Sequence, residues 1–129
     1  MTELPEVKIN DKYVPGLFEI KMNGAPYPDF ELRRGHGSVG IINKLEFKTG
    51  SGPHPTLTYE LTKNYKIVIE SGRGVITIDE ACCVTHEYGE HPTKLPIKSP
   101  AQEYNRYEFS FRNLRYRRPD GSTDIFIQP

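Results

Sequence analysis

The densest group of side chains able to do chemistry lies in one short stretch: Cys82, Cys83, His86, Glu87, Glu90 and His91. Thiolate and imidazole are the usual zinc ligands, so a metal centre is the first chemistry to weigh. The spacing works against it. In an extended strand Cys82 and His86 share a face but stand about 13 Å apart, at ~3.3 Å per residue. Donors on one tetrahedral zinc sit only about 3–4 Å from each other, given Zn–ligand distances of ~2.0–2.3 Å. Only a sharp turn between Val84 and His91 closes that gap. Nor is His86-Glu87-Tyr88-Gly89-Glu90-His91 an H-E-x-x-H helix motif, since the spacing is wrong and a glycine stands where a helix is needed. The stretch reads as a strand end entering an acidic surface loop, with no metal and no cofactor. Adjacent Cys82 and Cys83 point to opposite faces of a strand, and a bridge between neighbours needs a strained turn. They are expected as two reduced thiols, one inward and one outward, which suits a reducing compartment.

Other reactive groupings are incomplete. Arg34-Gly35-His36-Gly37-Ser38-Val39-Gly40 has the glycines of a phosphate loop but no Gly-Lys-Ser/Thr ending and no following helix. A phosphate loop works by aiming helix N-terminal amides at an anion, so half the device is missing. Ser38 lies beside His36 and Ser51 near His54, yet neither serine sits in a Gly-x-Ser-x-Gly elbow. The carboxylate pairs Asp79-Glu80 and Glu87/Glu90 read as solvated surface. The expectation is a protein without catalytic residues.

One stretch carries a denser pattern. Arg106, Arg112, Arg115, Arg117 and Arg118 interleave with Tyr104, Tyr107, Phe109, Phe111 and Tyr116. Aromatic faces that stack bases, beside arginines that meet phosphates, are how open β-barrels hold single-stranded nucleic acid. On that reading Tyr104, Arg106, Arg112, Arg115, Tyr116 and Arg117 form the platform. The same period-2 pattern equally fits a strand with a core-facing aromatic row and a solvated arginine row. A basic strip of Arg106, Arg112, Arg115, Arg117 and Arg118 also suits the acidic Asp79, Glu80, Glu87 and Glu90 of a neighbouring copy, in head-to-tail contact.

The elements that must position these residues are strands. Eleven glycines and eleven prolines punctuate the chain. Between them Leu17–Met22 alternates Phe18, Ile20 and Met22 against Glu19 and Lys21, and Asn23-Gly24 follows as a strong hairpin signal. Further strands are expected at Phe30–Arg33, Val39–Lys48, Thr56–Leu61, Tyr65–Glu70, Val75–Asp79, Ala81–His86 and Asp124–Gln128. Ser71-Gly72-Arg73-Gly74 and Pro119-Asp120-Gly121-Ser122 read as turns. Residues 87–103 read as a long proline-rich excursion, because three prolines in nine residues do not sit in a central strand. At most one helical turn fits residues 99–106. Tyr104–Arg118 reads as a long strand whose inward parity slips near Asn113, where a β-bulge puts both Phe109 and Leu114 inward. The expected core is Phe18, Ile20, Phe30, Leu32, Ile41, Leu45, Phe47, Leu57, Tyr59, Ile67, Ile69, Phe109 and Phe111.

The fold class is therefore all-β: a single antiparallel sandwich or barrel over residues 1–129, with little helix. A length of 129 residues supports one modest core. Equal counts of 17 basic and 17 acidic residues give no net charge to draw the whole molecule to nucleic acid. No apolar run approaches the ~20 residues of a membrane span, so no membrane partner is expected. The opening Met1-Thr2-Glu3-Leu4-Pro5-Glu6 lacks the basic and apolar regions of a signal peptide. A cytoplasmic or virion location follows as the expectation.

Lys66-Ile67-Val68-Ile69-Glu70-Ser71-Gly72-Arg73-Gly74-Val75-Ile76-Thr77-Ile78-Asp79-Glu80-Ala81 resembles the hairpin of phage tail-tube and baseplate-hub domains. A long loop and a closing strand, here Tyr107-Glu108-Phe109-Ser110-Phe111, follow in that pattern. Pro5-Glu6-Val7-Lys8-Ile9-Asn10 is similar to the first strand of such domains. The resemblance implies a non-enzymatic structural component of a virion, working through homo-oligomeric or particle assembly. Edge strands and loops then matter more than a pocket.

Overall fold

The computed structural model describes residues 4–27, 29, 43–50, 59–91 and 102–127. They form ten strands and no helix: β1 (Glu6–Ile9), β2 (Lys12–Tyr13), β3 (Leu17–Met22), β4 (Ala25–Pro26), β5 (Asn43–Thr49), β6 (Asn64–Ser71), β7 (Gly74–His91), β8 (Gln102–Phe111), β9 (Asn113–Arg117) and β10 (Thr123–Ile127). All pairings are antiparallel. The strand order is β2-β1-β6-β7-β8-β5-β3-β4, with β9 on β7 and β10 on β9. Among the described residues the path ends at β2 and β4, so the sheet is open rather than a closed barrel.

Short-range chemistry fixes the hairpins. Asn23 and Gly24 take φ of 53° and 83°, the double left-handed turn that matches strand twist. Asn10 and Asp11 do the same at 50° and 67° between β1 and β2. Asn10 also accepts the Lys66 amide on its side-chain oxygen at 2.9 Å, tying that turn to β6. At the β9–β10 turn Asp120 accepts both the amide and the hydroxyl of Ser122, at 2.8 and 2.6 Å.

The longest strand carries the architecture. β7 runs 18 residues. One edge pairs with β6; the other pairs first with β9 and then with β8. Its inward parity changes around Asp79 and Glu80, which are both exposed between buried Ile78 and buried Ala81. Across the ladder Arg112 and Asn113 are both exposed between buried Phe111 and Leu114. Each strand thus gains one outward residue at the same level, and the pairs on either side keep one register, from Thr77↔Arg115 to Cys82↔Ser110. The parity slip expected near Asn113 is present, but as a break matched on β7 rather than a β-bulge between the two strands. The bulge at this level is in β7 against β6, whose register shifts between Tyr65 and Ile67. Val7, Ile9, Ile67 and Ile69 on one arm join Ile20, Met22, Leu45, Phe47, Tyr107 and Phe109 on the other in one buried cluster. The sheet folds over its own inner face at the bend, as in a sandwich.

Several sequence expectations are corrected. Val75–Asp79 and Ala81–His86 belong to one strand, since the bulge keeps Ile78, Ala81 and Cys83 all inward. Residues 87–103 are not wholly an excursion: β7 continues to His91 and β8 starts at Gln102. Strand also replaces the described part of the helical turn allowed in residues 99–106. Tyr59–Leu61 is not strand; Leu61 is exposed in a turn where Thr62 has φ of 68°. Phe18 is half-buried rather than core, because the β3–β5 register shifts between Leu17 and Glu19. Phe30, Leu32, Ile41 and Leu57, and the strands expected at Phe30–Arg33 and before Asn43, lie outside the described residues.

Gly74 is the turn residue with least freedom. Its φ is 126°, and an added Cβ would overlap the Arg117 carbonyl oxygen on the neighbouring strand. Gly24 at φ 83° has nothing within 4 Å. Gly74→Ala should cost about 2–3 kcal/mol and Gly24→Ala about 1 kcal/mol in urea unfolding, because only the first combines backbone strain with a collision.

Candidate functional site

The arginine strand lies as its alternation requires. Tyr107, Phe109 and Phe111 are buried at 2 % exposure or less, while Arg106, Glu108 and Ser110 face outward. Phe47 and Phe109 meet edge-on at 5.7 Å, and Tyr59 packs on Tyr65, Tyr107 and Phe109 at 4.9–5.7 Å. Burial pushes the Tyr107 hydroxyl up to about 12 and moves Tyr59 higher still. Tyr104, half-buried, sets its ring edge-on to Phe18 at 6.4 Å, with Lys48 5.5 Å above the ring. Tyr116 donates its hydroxyl to the Arg73 carbonyl at 2.7 Å and lies under Arg118. These ring faces are occupied by the protein itself.

The acidic and basic strips meet within one chain, because β7 is the direct neighbour of β8 and β9. Arg106 donates to Glu46, to Glu108 at 3.1 Å and to Glu87 at 3.3 Å. Arg115 binds Asp79 at 3.0 Å, and Arg118 binds Asp124. Glu46 stands opposite Glu108, and Lys48 opposite Arg106, across β5–β8. Like charges placed directly opposite repel, so the face is balanced along diagonals instead. Lys44 reaches Glu108 at 3.4 Å, and Lys48 reaches Glu19 at 2.8 Å, which also holds Lys21 at 3.4 Å. The hydrogen bond with Glu46 raises the Arg106 guanidinium above its usual range against the opposing effect of burial.

Arg112, Arg117 and Glu80 are exposed and make no ion pair among the described residues. The side chain of Glu90 lies outside the described ones. Glu80 and Arg112 flank a cavity of about 540 Å³ where the β7 ladder opens between Thr77↔Arg115 and Cys82↔Ser110. Asp79, Asn64, Asn113, Ser110 and Cys82 complete its walls.

The cysteines divide as adjacent strand residues must. Cys83 is buried, and burial raises its thiol above the ordinary value. Cys82 is half-buried on the other face, and both are free thiols. The register shift between Cys83 and Thr85 puts His86 on the inner face with Cys83 rather than on the face of Cys82, as unbroken alternation would have it. It stacks on Tyr107 at 4.5 Å and meets Asn105 Oδ1 through Nε2 at 2.9 Å. Among the described residues no three of His, Cys, Asp and Glu stand together as a metal site. No described helix is long and apolar enough to cross a membrane.

What sequence reasoning missed is register. Alternation identifies the outward arginines, but only the pairing of β5, β7 and β8 shows which carboxylates answer them. No family model matches the chain, and neither a curated protein nor a solved structure is significantly similar to it.

Arg106→Gln leaves three carboxylates without their shared cation and should destabilise the fold by about 1–2 kcal/mol in denaturant titrations. Arg112→Gln, with no partner to lose, should stay within about 0.5 kcal/mol of the parent.

Burial pushes the Glu19 carboxyl up, but the hydrogen bond and charge of Lys48, with help from Lys21, outweigh it and hold Glu19 below its ordinary value. A lowered folded pKa gives stability that is present above the unfolded value and lost as pH falls through the folded one. Glu19→Gln should therefore flatten the acid limb of the stability profile by about 0.5 kcal/mol, read by thermal melts between neutral and acid pH.

Proposed function

We propose that the chain is a non-enzymatic assembly module that works through protein–protein contacts, as the phage tail-tube and baseplate-hub domains it resembles would imply. One observation supports this above the others. β6 makes its last register pair with β7 at Cys82, and β5 makes its last with β8 at Asn105. The β7–β8 ladder nevertheless continues through Gly89↔Tyr104 to His91↔Gln102. A two-stranded ribbon is marginally stable in water by itself. Both of its edges carry backbone groups without strand partners among the described residues, and such edges accept another chain.

The balance of charges favours the same reading. A face on which Arg106, Arg115 and Arg118 are answered by carboxylates of the same chain presents a reduced net field to a polyanion. Specific contacts with another protein rest instead on shape and backbone pairing. The nucleic-acid alternative needs exposed ring faces beside free arginines. Of its platform, Tyr104 packs on Phe18 beneath Lys48, Tyr116 bonds the Arg73 carbonyl beneath Arg118, and Arg106 and Arg115 are paired, which leaves Arg112 and Arg117 without a stacking ring between them.

Hydrogen–deuterium exchange provides the test. In the dilute chain, alternate amides of Val84–His91 should exchange fast on the edge turned away from β8. In the assembled form, made at high concentration or with proteins encoded by neighbouring genes, the same amides should become protected. Unchanged fast exchange in every such mixture, with the chain remaining monomeric, would overturn the proposal.

A further inference from the structure

The described sheet has three terminal strands, and they are not treated alike. β2 is two residues long and opens on Lys12; β4 is two residues long and closes on Pro26. Shortness, lysine and proline are the devices by which proteins stop an edge from recruiting another chain. β10 has none of them. It is five residues, Thr123-Asp124-Ile125-Phe126-Ile127, paired without a bulge over its full length with β9. Its outer edge has no strand partner among the described residues. Ile125 at its centre is 57 % exposed, second only to Tyr13 among the described large hydrophobics.

Hydrogen-bond phase shows what that edge offers. Arg118 donates its amide to the Ser122 carbonyl at 2.8 Å, closing the turn. In an antiparallel ladder the bonded pairs alternate with non-bonded ones. Asp124 and Phe126 therefore bond to β9. Thr123, Ile125 and Ile127 turn their amides and carbonyls outward.

From this pattern we infer that β10 pairs with β10 of a second copy, antiparallel and centred on Ile125, joining two sheets across a two-fold axis. In this register Ile125 faces Ile125 of the second copy and Thr123 faces its Ile127. All three outward residues on each copy then give and receive backbone bonds. A shift by one residue opposes outward groups to inward ones, and a shift by two leaves an outward residue beyond the end. Side chains agree with the register. Ile125 meets Ile125, a β-branched pair that suits a pleated ladder. The Asp124 carboxylate, opposite Phe126, is already held by Arg118 of its own chain. The occupant is a second copy because β2 and β4 are too short to receive five residues, while β10 is self-complementary about Ile125 in hydrogen-bond phase and in length. The chain carries no net charge to oppose self-association. This pairing does not rest on the ribbon at the far end of β7, since β9 and β10 attach at Val75–Thr77.

Cross-linking tests the register directly. In a Cys82→Ser background, Ile125→Cys should form a disulfide-linked dimer under mild oxidation, because self-opposed residues lie within disulfide reach. Thr123→Cys, which faces Ile127, should cross-link far more slowly. Light scattering of the parent should give twice the 14.8 kDa chain mass. Ile125→Lys, which sets like charges face to face, should weaken the dimer about tenfold or more while leaving unchanged the melting midpoint measured at dilutions where both chains are monomeric. A monomer at about 1 mM, or equal cross-linking by the two cysteine variants, would overturn the inference. So would a larger ring or filament in which Ile125→Cys does not cross-link, since β10 would then sit on another edge. Exchange protection of Val84–His91 is a separate readout, so failure here leaves the ribbon reading standing.

Discussion

An antiparallel strand keeps its apolar side inward only while its alternation stays in phase, and β7 is too long to serve three neighbours in one phase. The exposed pair Asp79 and Glu80 resets it between Ile78 and Ala81, and Arg112 with Asn113 does the same on the facing strand. Because the two resets lie at the same level, the register of β9 on β7 carries over to the first pairs of β8 without loss. Losing one reset alone would turn Phe109 and Phe111, or Leu114 and Tyr116, toward solvent. The bend, the shared core and the opening in the ladder all follow from this match.

The outer face shows a second consequence of register. Cross-strand neighbours on β5 and β8 are like-charged, so the face is held together by diagonals centred on Arg106 and Glu19. Such contacts contribute modestly one at a time. Collectively they tie β3, β5, β8 and β7 across four strands, while Arg112, Arg117 and Glu80 of the basic and acidic strips make no ion pair among the described residues.

Much of the fold was legible in local chemistry. The alternation from Tyr107 to Phe111, its slip before Leu114, and the left-handed pair Asn23-Gly24 each have one economical structural solution. Ile67 and Ile69 likewise read inward. Other features depended on what the chain meets elsewhere. Glu87–His91 continues as strand only because β8 is there to receive it, and polar residues beside a proline-rich stretch give no sign of that. Phe18 leaves the core through a register shift set by β5, and Tyr59 is buried without being strand. The candidate surface was half legible: alternation told which side the arginines take, but the edge position of β10 is a property of topology that its own five residues do not encode.

Sequence distance within the sheet bears on how the chain comes to be folded. β5 lies beside β8, whose first residue is 59 positions beyond Asn43, and β1 waits for β6. Pairings so remote close slowly, since the entropy of a long loop is lost before the contact is gained. During synthesis Leu45 and Phe47 emerge well before Tyr107 and Phe109 exist to cover them. For that interval the nascent chain exposes an aromatic, strand-forming segment, so a chaperone or rapid translation of the last third would govern its yield.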